Sequence, residues 1–383
     1  MTGDEALATL RAAYDDRLGE AKRRKAAGST LIAYFLNSVP IELIVAAGLD
    51  PIRLAGDPGR RAAIADRYME DYMDGEVRSI FGSILTGAFD FADLLVIPRS
   101  SEVYLQLYYF LREMPEWEPD AKIPPTYLFD LLQAPHWLSA RYDVGRMRAF
   151  AERLAVLGGQ SLTEDALRDA IRLVNRLRRA LQDVAALWRG GDPALDGVDA
   201  LKLIGAASVL PPTEAIAAIE AILADPPGPL GRAGPRIMLK GSPQSDPHVT
   251  RLIVEAGGVV VAQDHVAGDP TFRALVAEDG NPWEALATHY QRHIPGPRVH
   301  PQSEQDAHFI ALAKEARVDG VIFFHDEWDD TLGWEYPDQR ALLEAEGIAS
   351  VFMKRQPYFD PPITEQGATI RNFVASLTRE TVQ

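Results

Sequence analysis

The 383-residue chain contains no cysteine. Without thiolate, the polypeptide itself can form no disulfide, no cysteine nucleophile, no Cys-type zinc site and no cysteine-ligated iron–sulfur cluster. Positive charge is also in deficit: 39 Lys and Arg stand against 55 Asp and Glu, a formal net charge of −16. The basic surface that sequence-independent nucleic-acid binding requires is therefore missing, and an anionic membrane is an equally poor partner. Apolar runs such as residues 31–36 and 321–324 are far shorter than the ~20 residues that cross a bilayer. Met1 is followed by Thr2, Gly3, Asp4 and Glu5 and then by an amphipathic charged helix, not by a secretory pattern. These absences predict a cytoplasmic protein with neither a nucleic-acid nor a membrane partner.

Short apolar runs alternate with longer helical patterns, the pattern of βα units and buried parallel sheets. In the first half, strands are expected at residues 30–36, 51–54, 92–97 and 126–131. A helix is expected over residues 67–88, where Tyr68, Tyr72, Val77, Ile80, Phe81 and Ile84 recur at roughly helical spacing and Gly87 follows as a stop. From residue 141 to 223 the pattern is helical throughout. Ser161 and Thr163 are both candidate N-caps for a stripe of Leu167, Ile171, Val174, Leu177 and Leu181, whose arginine-rich opposite face reads as solvated surface. Residues 225–235, dense in proline and glycine, break the chain. Beyond them strands are expected at 236–240, 258–262, 320–324 and 350–354, with helices over 304–316 and 364–379, and Gly257-Gly258 reads as a helix stop. The organisation predicted is an N-terminal α/β domain (1–140), a helical segment (141–224), a linker (225–235) and a C-terminal α/β domain (236–383). No short-period repeat is present.

The sequence has no dinucleotide GxGxxG, no phosphate loop, no GxSxG elbow and no HExxH zinc motif. His289, His293, His300 and His308 lie within twenty residues, but Pro295 and Pro297 interrupt the helix and no carboxylate holds a motif position. Surface or loop histidines are expected there, not a metal site. Three strand-end loops carry more promise, because ligands of open α/β sheets bind at the carboxyl ends of strands. They are residues 98–102, 241–246 and 325–330, the last reading His325-Asp326-Glu327-Trp328-Asp329-Asp330. Taken singly, each also reads as a helix start capped by Ser or Asp.

At these same loops the sequence resembles the 2-hydroxyacyl-CoA dehydratase D-component and benzoyl-CoA reductase subunit family. Residues 33–51 look like the family's opening strand, its Pro40-Ile41-Glu42-Leu43-Ile44 helix and its Ala46-Ala47-Gly48 turn before Pro51. Residues 71–78 and 93–102 match a second region, in which members carry a Cys a few residues before Arg78 and a Cys-Asp pair after the strand. Residues 318–338 match a third, with Asp319-Gly320-Val321-Ile322 and a turn that reads Cys-Asp-Pro in members. Weaker echoes lie at 170–178 and 365–371, so the resemblance spans essentially the whole chain in one order.

The resemblance implies two flavodoxin-like parallel-sheet domains with an inserted helical segment. It also implies paired homologous subunits, a four-iron four-sulfur cluster held by three cysteines in the interdomain cleft, an ATP-hydrolysing activator that supplies an electron, and radical chemistry on an acyl-CoA. Carried across residue by residue, the ligand positions fall on Asp74, Ser101 and Asp329, and a further family cysteine falls on Leu36. Aspartate and serine are hard oxygen donors, suited to magnesium, calcium or manganese more than to iron–sulfur chemistry. The chain is therefore expected to lack the cluster and to be redox-inactive by itself, with a hard divalent metal left as an option. Asp74, Ser101, Glu102 and Asp329 are the candidate catalytic residues. Asn37, Ser38, Glu42 and His325 are the candidate acyl contacts.

Three functions are carried forward. The first is a cluster-free subunit of an acyl-CoA dehydratase or reductase, forming a heterodimer with a cysteine-bearing homologue and served by an activator ATPase. The second is an independent acyl-CoA enzyme or binder that uses carboxylates and His325. The third is a structural or regulatory homologue.

Overall fold

The computed structural model describes residues 1–296 and 299–380; Pro297, read above as a helix breaker, lies outside them. Among the described residues eight strands form two four-stranded parallel sheets. The first contains β1 (Leu31–Phe35), β2 (Asp50–Leu54), β3 (Leu94–Pro98) and β4 (Thr126–Phe129), in the order β2-β1-β3-β4. The second contains β5 (Arg236–Gly241), β6 (Val259–Asp264), β7 (Gly320–Asp326) and β8 (Ala349–Gln356), in the same relative order, β6-β5-β7-β8. Both have the flavodoxin-like arrangement expected. All eight strands fall where the apolar runs predicted them, most clearly β1, β3 and β7, because a parallel strand covered on both faces must be continuously apolar. Every residue of β1, β3 and β7 is buried.

Between the sheets lies the helical segment, with its longest members at Trp137–Gly158 and Glu164–Val184. Thr163, not Ser161, caps the second of these by accepting the Ala166 N–H at 3.1 Å. All five residues of the predicted stripe are buried. The first helix, Gly3–Asp15, joins the same layer: Leu7, Leu10 and Tyr14 pack in one cluster with Leu181, Trp188, Ile204 and Ile219. Residues 225–235 carry no helix or strand.

Two local expectations need correction. The helix expected from residue 67 begins at Gly75, because Asp74 caps it through the Val77 N–H at 2.9 Å. Tyr68 and Tyr72 precede it, and Tyr68 is held instead by stacking on Trp117 with ring centres 5.8 Å apart. The arginine-rich face of Glu164–Val184 is solvated at Arg172, Arg176 and Arg179, but Arg178 is buried and pairs with Glu42 at 2.7 Å. A guanidinium there would be costly without that carboxylate.

Candidate functional site

In each sheet the strand order reverses between its first and third strands, β1 and β3 in one, β5 and β7 in the other. Such a reversal leaves a crevice beyond the carboxyl ends of the strands. The two crevices face each other and merge into one cavity of about 430 Å³, lined by residues that follow β1, β3, β5, β6 and β7. That volume is in the range of a small-molecule site.

Three helices start at its wall. Asp74 is the N-cap of Gly75–Leu85, Ser101 of Glu102–Trp117 and Asp329 of Asp330–Ala345, and all three residues line the cavity. Asp74 and Asp329 serve as both cap and lining: Asp329 accepts the Leu332 N–H at 3.2 Å and the Ser242 hydroxyl at 2.7 Å. Ser101 makes no side-chain cap bond. Next to it the Ser38 and Ser100 hydroxyls meet at 2.5 Å. Three helix N-termini give this wall a partial positive field that favours anionic groups.

Burial works against that field. It pushes the Asp74 carboxyl up to about 6, with the Asp329 charge adding to the effect and the Val77 amide opposing it. It pushes Glu76 up to about 7, with the Asp74 charge adding and the Tyr104 hydroxyl, 3.3 Å away, opposing. Burial and the charges of Asp74 and Glu76 drive Asp326 well above the usual carboxylate range. Tyr358, from the loop after β8, closes this acidic wall by seating against Gly56 and Gly75 of the other domain. A Cβ on Gly75 would lie 2.3 Å from that of Tyr358, so only glycine admits the contact.

The C-terminal half of the lining differs. Lys240, the penultimate residue of β5, pairs with Asp264 at the end of β6 at 2.7 Å. Burial alone would raise the Asp264 pKa, but the Lys240 ammonium outweighs it and holds that carboxyl low. His265 and His325 are buried against the cavity, and burial pushes them down to about 3 and about 4, so both are neutral at physiological pH. Among the described residues, neither ring nitrogen of His265, nor Nδ1 of His325, has a hydrogen-bond partner. Glu335, raised to about 7 by burial, and Arg273 complete the charged lining.

Of the residues singled out from sequence, Asn37, Ser38, Asp74, Ser101, Glu102, His325 and Asp329 all line this cavity, as does Leu36. Glu42 does not. It is fully buried beneath β1, bound to Arg178 at 2.7 Å and accepting the Tyr290 hydroxyl at 2.8 Å. His289 is buried on the inner face of Pro282–Arg292, contrary to the surface or loop position expected, because that face packs with Trp283, Leu286 and Tyr290 in the core. Among the described residues no three His, Asp or Glu side chains are grouped as a metal's ligands. Sequence reasoning missed Glu76, Lys240, Asp264, His265, Arg273 and Glu335. The strand-end rule could have flagged Lys240, Asp264 and His265, whereas Arg273 and Glu335 arrive from a loop and a helix turn with no local signature.

Residues 37–363 match the family model described as 2-hydroxyglutaryl-CoA dehydratase, D-component. The chain is 29% identical to the putative dehydratase subunit YjiM of Escherichia coli (strain K12), over 78% of this chain and 78% of that protein. It is 26% identical to a benzoyl-CoA reductase subunit of Thauera aromatica, over 84% and 85% of the two chains. It is 22% identical to the beta subunit of (R)-2-hydroxyglutaryl-CoA dehydratase of Acidaminococcus fermentans, over 85% and 87%. With eight strands in the expected order, one interdomain cavity at both switch points and a family match across most of its length, this chain belongs to the 2-hydroxyglutaryl-CoA dehydratase D-component family.

Proposed function

We propose that the protein is a cluster-free subunit of a cytoplasmic acyl-CoA dehydratase or reductase complex. In this reading it shapes the acyl-CoA pocket while a cysteine-bearing homologous partner, served by an activator ATPase, performs the redox step. The observation that carries the reading is the convergence of Asp74, Ser101 and Asp329, the positions that correspond to cluster ligands, on one cavity where they offer only oxygen. These residues do not fit a four-iron four-sulfur cluster. Thiolate is absent from the chain, and both aspartates are half-buried, raised above the usual carboxylate range and engaged as helix caps. No redox step is therefore assigned to them.

What this chain's own residues can do is bind and polarise. The helix N-termini at Asp74, Ser101 and Asp329 suit a thioester carbonyl or another electron-rich oxygen. Carboxyls kept partly protonated by burial, Asp74 and Glu76, can donate hydrogen bonds, and neutral His265 and His325 can donate or accept them. This same acid–base inventory supports a second reading, an independent acyl-CoA enzyme in which Glu76 acts as a general acid.

Purification from the native host distinguishes the two. The subunit reading predicts a stoichiometric complex whose second chain is a cysteine-containing homologue. A monomer that binds and turns over an acyl-CoA unaided overturns it in favour of the second reading.

A further inference from the structure

Arg17 opens the helix Arg17–Ala26 and Arg53 is the penultimate residue of β2, and among the described residues neither forms an ion pair. Arg17 donates to the Ser245 carbonyl at 3.3 Å and lies over the Tyr14 ring, 4.7 Å from its centre. Arg53 donates to the Val266 carbonyl at 3.3 Å and the Thr271 hydroxyl at 3.5 Å. All three acceptors are uncharged, and bonds of this length are weak. Other arginines are provided for: Arg11 has Asp199, Arg178 has Glu42, and Arg78 has Asp66 and Asp71. Burial lowers the Arg53 pKa and the Arg17 charge lowers it further, yet a guanidinium stays charged at physiological pH. Two like charges therefore act on each other without a counter-ion.

Both arginines line a void of about 10 Å³ that shares no residue with the large cavity. Its remaining walls are uncharged. Leu201, Gly205, Val209 and Ala267 carry no charge, and Tyr14, pushed up to about 12 by burial, is neutral and donates its hydroxyl to the Ser245 carbonyl at 2.5 Å. The carboxylates whose charges reach this region are engaged elsewhere: Asp246 accepts the His248 N–H at 2.8 Å, Asp15 pairs with Lys202 at 2.8 Å, and Glu76 lines the large cavity. A void of this size holds about one water-sized species. Water would leave the two charges uncompensated, and a carboxylate or phosphate group is too large. A single-atom anion fits and supplies the missing counter-charge.

We infer that the protein binds a halide ion, chloride under physiological conditions, in the void lined by Arg17 and Arg53. The walls come from helix Gly3–Asp15, helix Arg17–Ala26, β2, helix Gly197–Ala206 and the loops after β5 and β6, so the ion ties the first sheet to the helical layer and to the second domain. The site is independent of the function proposed above.

The test is thermal unfolding of the full-length protein as sodium chloride replaces sodium gluconate at constant ionic strength, which holds screening fixed. Crystals grown in bromide, read by anomalous scattering, locate the ion. The melting temperature of the natural protein is expected to rise on the order of 2 °C and then level off, and the bromine peak to lie against both guanidinium groups. Arg53→Met and Arg17→Met each remove the rise, and Arg53→Lys keeps part of it. Each methionine variant loses only long hydrogen bonds to uncharged acceptors and sheds an uncompensated charge, so both are expected to fold. Should one fail to fold, the bromine position in the natural protein decides the question by itself. A melting temperature indifferent to the exchange, a rise that survives in the methionine variants, or bromide bound elsewhere with this void empty overturns the inference.

Discussion

Glu76 shows how single residues set the pH behaviour of this fold. Its folded-state pKa of about 7 lies above the ~4.3 of an unperturbed glutamate, so the native state holds the proton more tightly than the unfolded chain. The resulting stabilisation is complete below the unfolded pKa and is lost as pH rises towards 7, with a ceiling on the order of 3 kcal/mol. Chemical denaturation of the natural protein and of Glu76→Gln at pH 5 and pH 8 checks this. The natural protein loses stability across the interval, while Glu76→Gln, which keeps an acceptor for the Tyr104 hydroxyl, loses less. Identical pH slopes would refute it. The Glu42–Arg178 pair makes a different prediction. Glu42→Gln leaves a buried guanidinium without its counter-charge and is expected to destabilise by roughly 3–5 kcal/mol, whereas Glu42→Gln combined with Arg178→Met recovers part of that loss in urea unfolding. Neither effect was legible in the sequence. Arg178 sits in a run of arginines that differ only in what a residue 136 positions away brings to them.

At the scale of elements, legibility followed the physics of each element. Buried parallel strands must be continuously apolar, so β1, β3 and β7 stood out in the sequence, and shorter apolar runs marked the half-exposed β4 and β8 as well. The start of Gly75–Leu85 did not, because Tyr68 and Tyr72 fall at helical spacing while Asp74, a stronger local signal, decides where the helix begins. Two glycines test the packing around these elements. Gly75→Ala forces a Cβ against Tyr358 and is expected to lower the melting temperature by displacing that interdomain contact. Gly145→Ala, in the Trp137–Gly158 helix, meets nothing within 4 Å and is expected to raise stability by about 0.5–1 kcal/mol. Differential scanning calorimetry of the two variants should move in opposite directions, and a stabilised Gly75→Ala protein would mean that Tyr358 is not clasped as described.

For the whole molecule, the informative feature is the repetition of one strand order in two sheets, which turns two switch points towards a single cavity. The loops that line it were legible in outline, since each follows an apolar run, and the resemblance picked out Asp74, Ser101 and Asp329 from among them. What sequence could not supply was pairing between segments distant in sequence: Lys240 with Asp264, Ser242 with Asp329, and Tyr358 against Gly56 and Gly75. The central claim is that, at the positions where the sequence resemblance implies iron–sulfur ligands, this chain offers only oxygen donors to its cavity. It is tested most directly by anaerobic reconstitution of the purified chain with ferrous iron and sulfide, reading bound iron and visible absorption after desalting. The triple substitution Asp74→Cys, Ser101→Cys, Asp329→Cys serves as the comparison. The account predicts no cluster on the natural chain and a gain of sulfide-dependent absorption in the triple variant; a stoichiometric cluster on the natural, cysteine-free chain would contradict it.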